Sequence, residues 1–158
     1  MEEGTLKISQ AQYIKRILEK FGMADSHLVS TPLDPNVRLT KTPETENYEI
    51  SEYQSTIGSL MYAAIGTCPD ISFTVQHLSQ FMSNPEPAYW TAVKCVLCYL
   101  NGTHDLGIIY NKRGEVEPLA FSDADRGSDV NDWKSISGYI FQMSNGLLSR
   151  YAGLLITR

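Results

Sequence analysis

The chain of 158 residues has room for one domain or two small ones, and its 42% hydrophobic and 20% charged content suits a globular protein. No stretch approaches 18 consecutive apolar residues, so no membrane span is expected; the opening MEEGTLKISQ is acidic and lacks the apolar core of a signal peptide, which leaves a cytoplasmic or nuclear location as the expectation. A net charge of −5 argues against strong general affinity for nucleic acid, although a local basic strip or a metal-mediated contact stays open.

The first half has helical periodicity. Ser9 and Gln12 have the spacing of a capping box, with Ile8 and Tyr13 placed as a hydrophobic staple. Ile14, Ile17, Leu18 and Phe21 then form one apolar face, and Gly22 suits the left-handed closing position. Lys15, Arg16 and Lys20 fall mostly off that face, as a solvated surface or a contact for a phosphate backbone. Residues 30–50 carry three prolines among polar residues and form a connector. A second capping box, Ser51 and Gln54, opens the next helix, with Ile57, Leu60, Met61 and Ala64 inward and Gly66 at its end. Pro69 fits the first turn of a third helix whose apolar positions include Phe73, Leu78, Phe81 and Met82. After the break Asn84-Pro85-Glu86-Pro87, a fourth helix turns Tyr89, Val93, Val96, Leu97 and Leu100 inward and closes at Asn101-Gly102.

None of these helices carries a catalytic constellation. His77 has no metal partner at helical spacing. Tyr89 and Trp90 are candidates for base stacking, but packing at the helix start is the simpler role. Cys68, Cys95 and Cys98 are odd in number and suggest no disulfide framework. Cys95 and Cys98 have metal-like spacing, yet they lie within the helical run AVKCVLCYL with only His104 nearby, and a zinc site needs four ligands.

Strand periodicity begins near residue 105. Leu106–Tyr110 is a short strand, Asn111–Gly114 a turn, and Leu119–Ser122 a strand leading into Asp123. Residues 137–144 form a third strand, Asn145-Gly146 signals a hairpin, and Leu147–Tyr151 pairs back antiparallel. The fold class is therefore α+β, with a bundle of about four helices ahead of an antiparallel meander. The organisational boundary falls in the turn around Lys112–Glu117, giving segments 1–113 and 114–158.

A carboxylate at the tip of a buried strand is a natural metal ligand, and Asp123 is the candidate. An EF-hand loop starting there fails, because Ser128 stands where Gly is needed and Lys134 where the bidentate Glu belongs. A haloacid dehalogenase-type phosphatase also places two aspartates one residue apart after a strand. Gly127 breaks its pattern, and that fold needs far more chain. The third chemistry is two-metal phosphodiester hydrolysis, in which several carboxylates converge on Mg²⁺. Asp125, Asp129 and Asp132 are near in sequence and read more simply as a solvated turn.

Blocks along nearly the whole chain carry a resemblance. They include Ile17-Leu18-Glu19-Lys20-Phe21-Gly22-Met23, Thr31-Pro32-Leu33, Ile57-Gly58-Ser59-Leu60-Met61-Tyr62, Pro69-Asp70-Ile71 and Leu78-Ser79-Gln80-Phe81-Met82. Trp90, Tyr99-Leu100-Asn101-Gly102-Thr103, Ser122-Asp123-Ala124-Asp125 and Lys134–Phe141 continue it in order. The chain resembles the Pol polyproteins of copia-type retrotransposons, from the end of the reverse transcriptase into a truncated start of the ribonuclease H domain. The resemblance implies a parent that copies RNA into DNA and cleaves the RNA of RNA–DNA hybrids. It implies a ribonuclease H-like meander, Asp123 as the first catalytic carboxylate and metal ligand, and Mg²⁺ as cofactor.

Departures accompany it. No Asp-Asp pair of the polymerase signature occurs, and the family's further ribonuclease H carboxylates would lie beyond Arg158. Arg126 stands where the family has Trp, Trp133 where it has Arg, and the tail RYAGLLITR does not align, as a frameshift, mis-spliced end or decayed copy would give. One carboxylate does not anchor two Mg²⁺ ions, so the expectation is a fragment inactive alone. Its uncovered apolar sheet face would invite self-association. The alternatives are a non-catalytic protein- or nucleic-acid-binding module, or a remnant without activity.

Overall fold

A computed structural model describes residues 4–34, 39, 50–111, 117–124 and 135–155. Among them are four α-helices and two small antiparallel sheets, a mixed α+β arrangement. Two compact units emerge, Gln10–Leu106 and a second composed of Met1–Ser9 with Gly107–Arg158.

The helical unit contains α1 (Ala11–Lys20), α2 (Ile50–Gly66), α3 (Ser72–Ser79) and α4 (Pro87–Thr103). Its core is continuous, with Ile14, Tyr53, Ile57, Leu60, Ile71, Leu78, Val93, Val96 and Leu97 almost fully buried. The expected inward residues of α4 are all buried, as are Ile14, Ile17 and Leu18 of α1. Phe21, Met61 and Met82 pack against the core only partly buried.

Both capping boxes are absent. The N-cap of α1 is Gln10, not Ser9, and it makes no side-chain cap bond. Instead Gln10 Oε1 accepts hydrogen bonds from the Thr67 backbone N–H and from Thr67 Oγ1, each at 3.0 Å, just past the end of α2. Ser51 lies inside α2, which begins at Ile50, and Gln54 Nε2 donates to the Met82 carbonyl at 3.0 Å. Tertiary partners have taken the groups that local capping would have used. The end of α1 is as expected. Gly22 has φ +64°, its N–H donates to Glu19 O, and the Met23 N–H donates to Leu18 O, which is a Schellman closure.

The third helix is preceded by a 3₁₀ turn, Pro69–Ile71, and α3 proper starts at Ser72. Asn101 and Gly102 do not end α4, which runs to Thr103. Asn101 Nδ2 donates to the carbonyls of Ala24 and Ser26, at 3.0 and 3.1 Å, and so ties the segment after α1 to α4.

One tie in this unit titrates. Tyr99 Oη donates to Asp70 Oδ2 at 2.5 Å. Burial, followed by that hydrogen bond and the Asp70 charge, pushes the Tyr99 phenol up to about 12 from its ordinary 10.0. Burial, aided by Tyr89, pushes Tyr53 well above the usual phenol range. A raised folded value favours the neutral phenol in the folded state. The Tyr99 contribution is therefore whole below about pH 10 and lost as pH climbs from there toward 12. Denaturant midpoints should fall between about pH 9.5 and about pH 12, and less in Tyr99→Phe; an equal fall in both chains would remove Tyr99 as a cause.

The strand-rich unit has two sheets. β1 (Thr5–Ile8), which has no counterpart in the sequence reading, pairs antiparallel with β2 (Ile108–Asn111). β3 (Leu119–Ala124), β4 (Ser135–Met143) and β5 (Gly146–Leu155) form an antiparallel meander in the order β3-β4-β5. The β4–β5 hairpin turns one residue earlier than Asn145-Gly146 suggests. Ser144 and Asn145 take the two positive φ values, 51° and 62°, of a type I′ turn, and Met143 pairs with Gly146. Gly146 is held in the strand by the Tyr110 ring, which occupies the space a Cβ would need. Tyr110 Oη donates to the Leu147 carbonyl, and the Asn111 N–H donates to Ser144 O at 3.0 Å, so β2 is bound to the hairpin end.

Candidate functional site

Asp123 is the next-to-last residue of β3, opposite Gly138 of β4 in the antiparallel register. Strand alternation puts Leu119, Phe121 and Asp123 on one face, and Phe121 faces Ile140 across the ladder. Asp123 is exposed. Gly138 presents no side chain opposite the carboxylate. The expectation of a buried strand is corrected here. β3 is an end strand of its three-stranded sheet, and Leu119, Phe121 and Ile140 are 49%, 57% and 40% exposed. On the opposite face Tyr139 and Phe141 meet edge-on, with ring centroids 5.4 Å apart, and both are partly exposed. This meander carries apolar side chains on both faces, the composition of a sheet meant to lie between two layers.

Asp125, Asp129, Asp132, Arg126 and Trp133 lie outside the described residues. Among the described residues no three His, Cys, Asp or Glu side chains come together as a metal-holding group.

Similar proteins give the family of the chain. The chain is 39% identical over 152 residues to the retrovirus-related Pol polyprotein from transposon TNT 1-94 of Nicotiana tabacum, covering 91% of this chain and 11% of that protein. It is 38% identical over 144 residues to the Pol polyproteins from transposons RE2 and RE1 of Arabidopsis thaliana, covering 91% of this chain and 10% of each. The chain belongs to the copia-type retrotransposon Pol polyproteins. It spans about a tenth of the length of these relatives. No protein-family model and no solved structure matches it.

The remaining candidates of this Pol segment fall into place as packing groups. Cys98 is buried in the helical unit, and Cys95 Sγ lies 3.8 Å from the Thr31 carbonyl. Burial, then the neighbouring Cys98 and Asp34, pushes the Cys95 thiol above its ordinary value. His104 Nδ1 is 2.8 Å from Asn101 O and its Nε2 3.3 Å from Asp105. Tyr89 is buried and stacks on Phe81 with centroids 4.2 Å apart, and the partly buried Trp90 sits edge-on to Tyr53 at 5.4 Å, so both pack against the core.

Lys15, Arg16 and Lys20 are exposed on α1. Lys20 Nζ donates to Ser55 Oγ at 2.8 Å and lies 4.7 Å from the Phe21 ring centroid, so part of this basic surface is fixed in position. Among the described residues no helix is long and apolar enough to cross a membrane.

Sequence reasoning missed Gln10, Asn101 and the Tyr99–Asp70 pair, all of which bond to partners at least 29 residues away. Periodicity carries no signal for such ties. Phe73 was placed in the core and is instead 52% exposed.

Proposed function

We propose that this chain is the part of a retrotransposon Pol polyprotein where the reverse transcriptase passes into ribonuclease H, with segment 114–158 a partial ribonuclease H-like domain. The observation that carries the proposal is an exposed aspartate at the end of β3, in a chain that aligns over 91% of its length with Pol polyproteins. Mg²⁺ takes oxygen ligands and keeps part of its water shell. Asp123, with a glycine across the ladder, fits one such ligand position. Bound in the complete parent, the metal pair supplies water activation and stabilisation of the leaving oxygen. Asp123 holds its carboxylate at a fixed point of a strand. The RNA–DNA hybrid is the partner, in a cytoplasmic or nuclear setting.

One carboxylate does not hold two ions, and among the described residues no three His, Cys, Asp or Glu side chains form a metal-holding group, so on this reading the segment alone is expected not to cleave. The partly exposed apolar faces of β3 and β4 give such a chain a route to self-association. A second reading, a non-catalytic binding module, is favoured by the closed core of the helical unit together with the exposed Lys15, Arg16 and Lys20.

The test is a labelled RNA–DNA hybrid incubated with the purified chain in Mg²⁺ or Mn²⁺, alongside Asp123→Asn. The expected result is no cleavage by either chain, with Mn²⁺ broadening the amide resonances around Asp123 and Gly138 only when Asp123 is present. Cleavage that Asp123→Asn abolishes would overturn the incompleteness while supporting the parent activity. Broadening that persists in Asp123→Asn would remove Asp123 as a metal ligand.

A further inference from the structure

The end strands of the strand-rich unit are not alike. β1 carries Lys7. β5 carries Arg150, and its start is tied to β2 by Tyr110 Oη on the Leu147 carbonyl and by the Asn111 N–H on Ser144 O. A charge or a proline on an end strand, or a covering element, discourages a further strand from pairing there. β3 has none of these. Among the described residues of this unit no strand lies beyond it, Leu119–Ser122 holds no charge, and Pro118 comes before the strand instead of within it. Its side chains from Leu119 to Asp123 are all exposed. Its ladder with β4 is unbroken from Leu119↔Gln142 to Ala124↔Ser137, whereas β4 and β5 shift register at Phe141/Gln142, so no bulge twists the β3 edge away.

Backbone N–H and C=O groups along such an edge are satisfied by another strand, and β3 matches itself. Two antiparallel copies related by a two-fold axis at Phe121 set Phe121 against Phe121, Ala120 against Ser122 and Leu119 against Asp123. Opposed residues then share a face, as antiparallel pairing requires. Phe121 already faces Ile140 across the β3–β4 ladder, so an apolar row would run from Ile140 through both Phe121 rings to Ile140 of the second copy. Charge disfavours the neighbouring registers. A slip by one side-chain period puts the Asp123 carboxylate against the Phe121 ring in one direction, and against Glu117, like charge to like, in the other. The net charge of −5 works against two copies meeting, but no like charges oppose each other within the paired strands, so the repulsion is long-range and salt screens it.

We propose that β3 is a pairing edge for a second copy of this chain, joining the two three-stranded sheets into one through Leu119–Asp123 with Phe121 opposite Phe121. This narrows self-association from a sheet face to one edge and one register. It does not depend on the Pol reading, since hybrid cleavage and Mn²⁺ contact at Asp123 can fail while the pairing stands.

Sedimentation equilibrium of the full chain, beside Phe121→Lys, measures the association, and cysteine cross-linking reads the register. Phe121→Cys alone, and Ala120→Cys mixed with Ser122→Cys, are oxidised with copper phenanthroline. The unaltered chain, with its free Cys68, Cys95 and Cys98, sets the background, and circular dichroism confirms that each variant is folded. The expected result is a dimer that added salt strengthens and that Phe121→Lys weakens roughly tenfold or more, because like charges then oppose each other across the pair. Phe121→Cys should give a disulfide-linked dimer, and the Ala120→Cys and Ser122→Cys mixture more of one than either variant alone. A cross-link from Phe121→Cys with none from the mixture would mean that the sheets stack by their faces, where Ala120 and Ser122 point away, and would overturn the edge. A monomeric parent chain, or a Phe121→Lys chain that associates as strongly as the parent, would overturn it as well.

Discussion

Leu60→Ala is expected to lower the unfolding free energy of the helical unit by about 2–5 kcal/mol, the range for emptying a well-packed leucine site. Leu60 is fully buried on α2, with Ile57 and Tyr53 one and two turns before it, in the core shared with α1, α3 and α4. A cavity there cannot be filled cheaply. Neighbouring Tyr53 is held by its hydroxyl, which donates to the Leu78 carbonyl at 2.9 Å, and its ring by the edge of Trp90. The control lies five residues along the same helix. Ile65 is 78% exposed, and Ile65→Ala should change stability by no more than about 0.5 kcal/mol. Chemical denaturation followed at a helical wavelength measures both. Equal costs for the two changes would mean that the outer face of α2 is covered and that the core described here is not the one that folds.

The residues that made the helical half legible are those with long-range periodicity. Ile14, Ile17 and Leu18, and later Val93, Val96, Leu97 and Leu100, recur every three or four positions, and one buried face is the only arrangement that satisfies them. Helix starts were less legible. Ser9 and Ser51 had the right neighbours for capping, yet capping competes with tertiary bonds that sequence does not display, and Gln10 shows how the competition ends. Phe73 was misplaced for a geometrical reason. Within α3 it lies five residues before the buried Leu78, which at 3.6 residues per turn puts it on another side of the helix, and Thr74 and Val75 face the core instead.

In the strand half, strand type was legible and context was not. Asp123 could be placed at a strand end from the run Leu119–Ser122 alone. Whether that strand is central or terminal, and buried or exposed, depends on layers that lie elsewhere in sequence. β1 was invisible for a similar reason. Thr5–Ile8 is four residues long and its partner begins at Ile108, so no local hairpin signal announces it. The resemblance to Pol proteins supplied what periodicity could not, a reason to attend to Asp123 among the chain's carboxylates.

Gly107→Ala should break the β1–β2 ribbon, at a cost of about 1–3 kcal/mol by the usual scale of overpacking. A Cβ at this position would sit 2.5 Å from the Ile8 carbonyl oxygen and 2.9 Å from Ser9 Cβ. The nearest of these atoms is backbone, so no rotamer change relieves the clash and β1 itself must move away. β1 has little with which to resist. It is four residues long, three of them are exposed, and its sheet has only one other strand. The register from Thr5↔Asn111 to Ile8↔Ile108 would be lost as a whole, because Ile8 is both the clashing residue and the terminal pair. Gly58→Ala gives the opposite case. Its Cβ would meet nothing within 4 Å, and it lies inside α2, where Ala is favoured over Gly by roughly 0.5–1 kcal/mol. Amide hydrogen exchange separates the outcomes. In Gly107→Ala, protection should fall across Thr5–Ile8 and Ile108–Asn111 while the amides of α2 and α4 keep theirs. Unchanged protection in β1 would mean that the close approach of Gly107 to Ile8 is not what sets the ribbon's register.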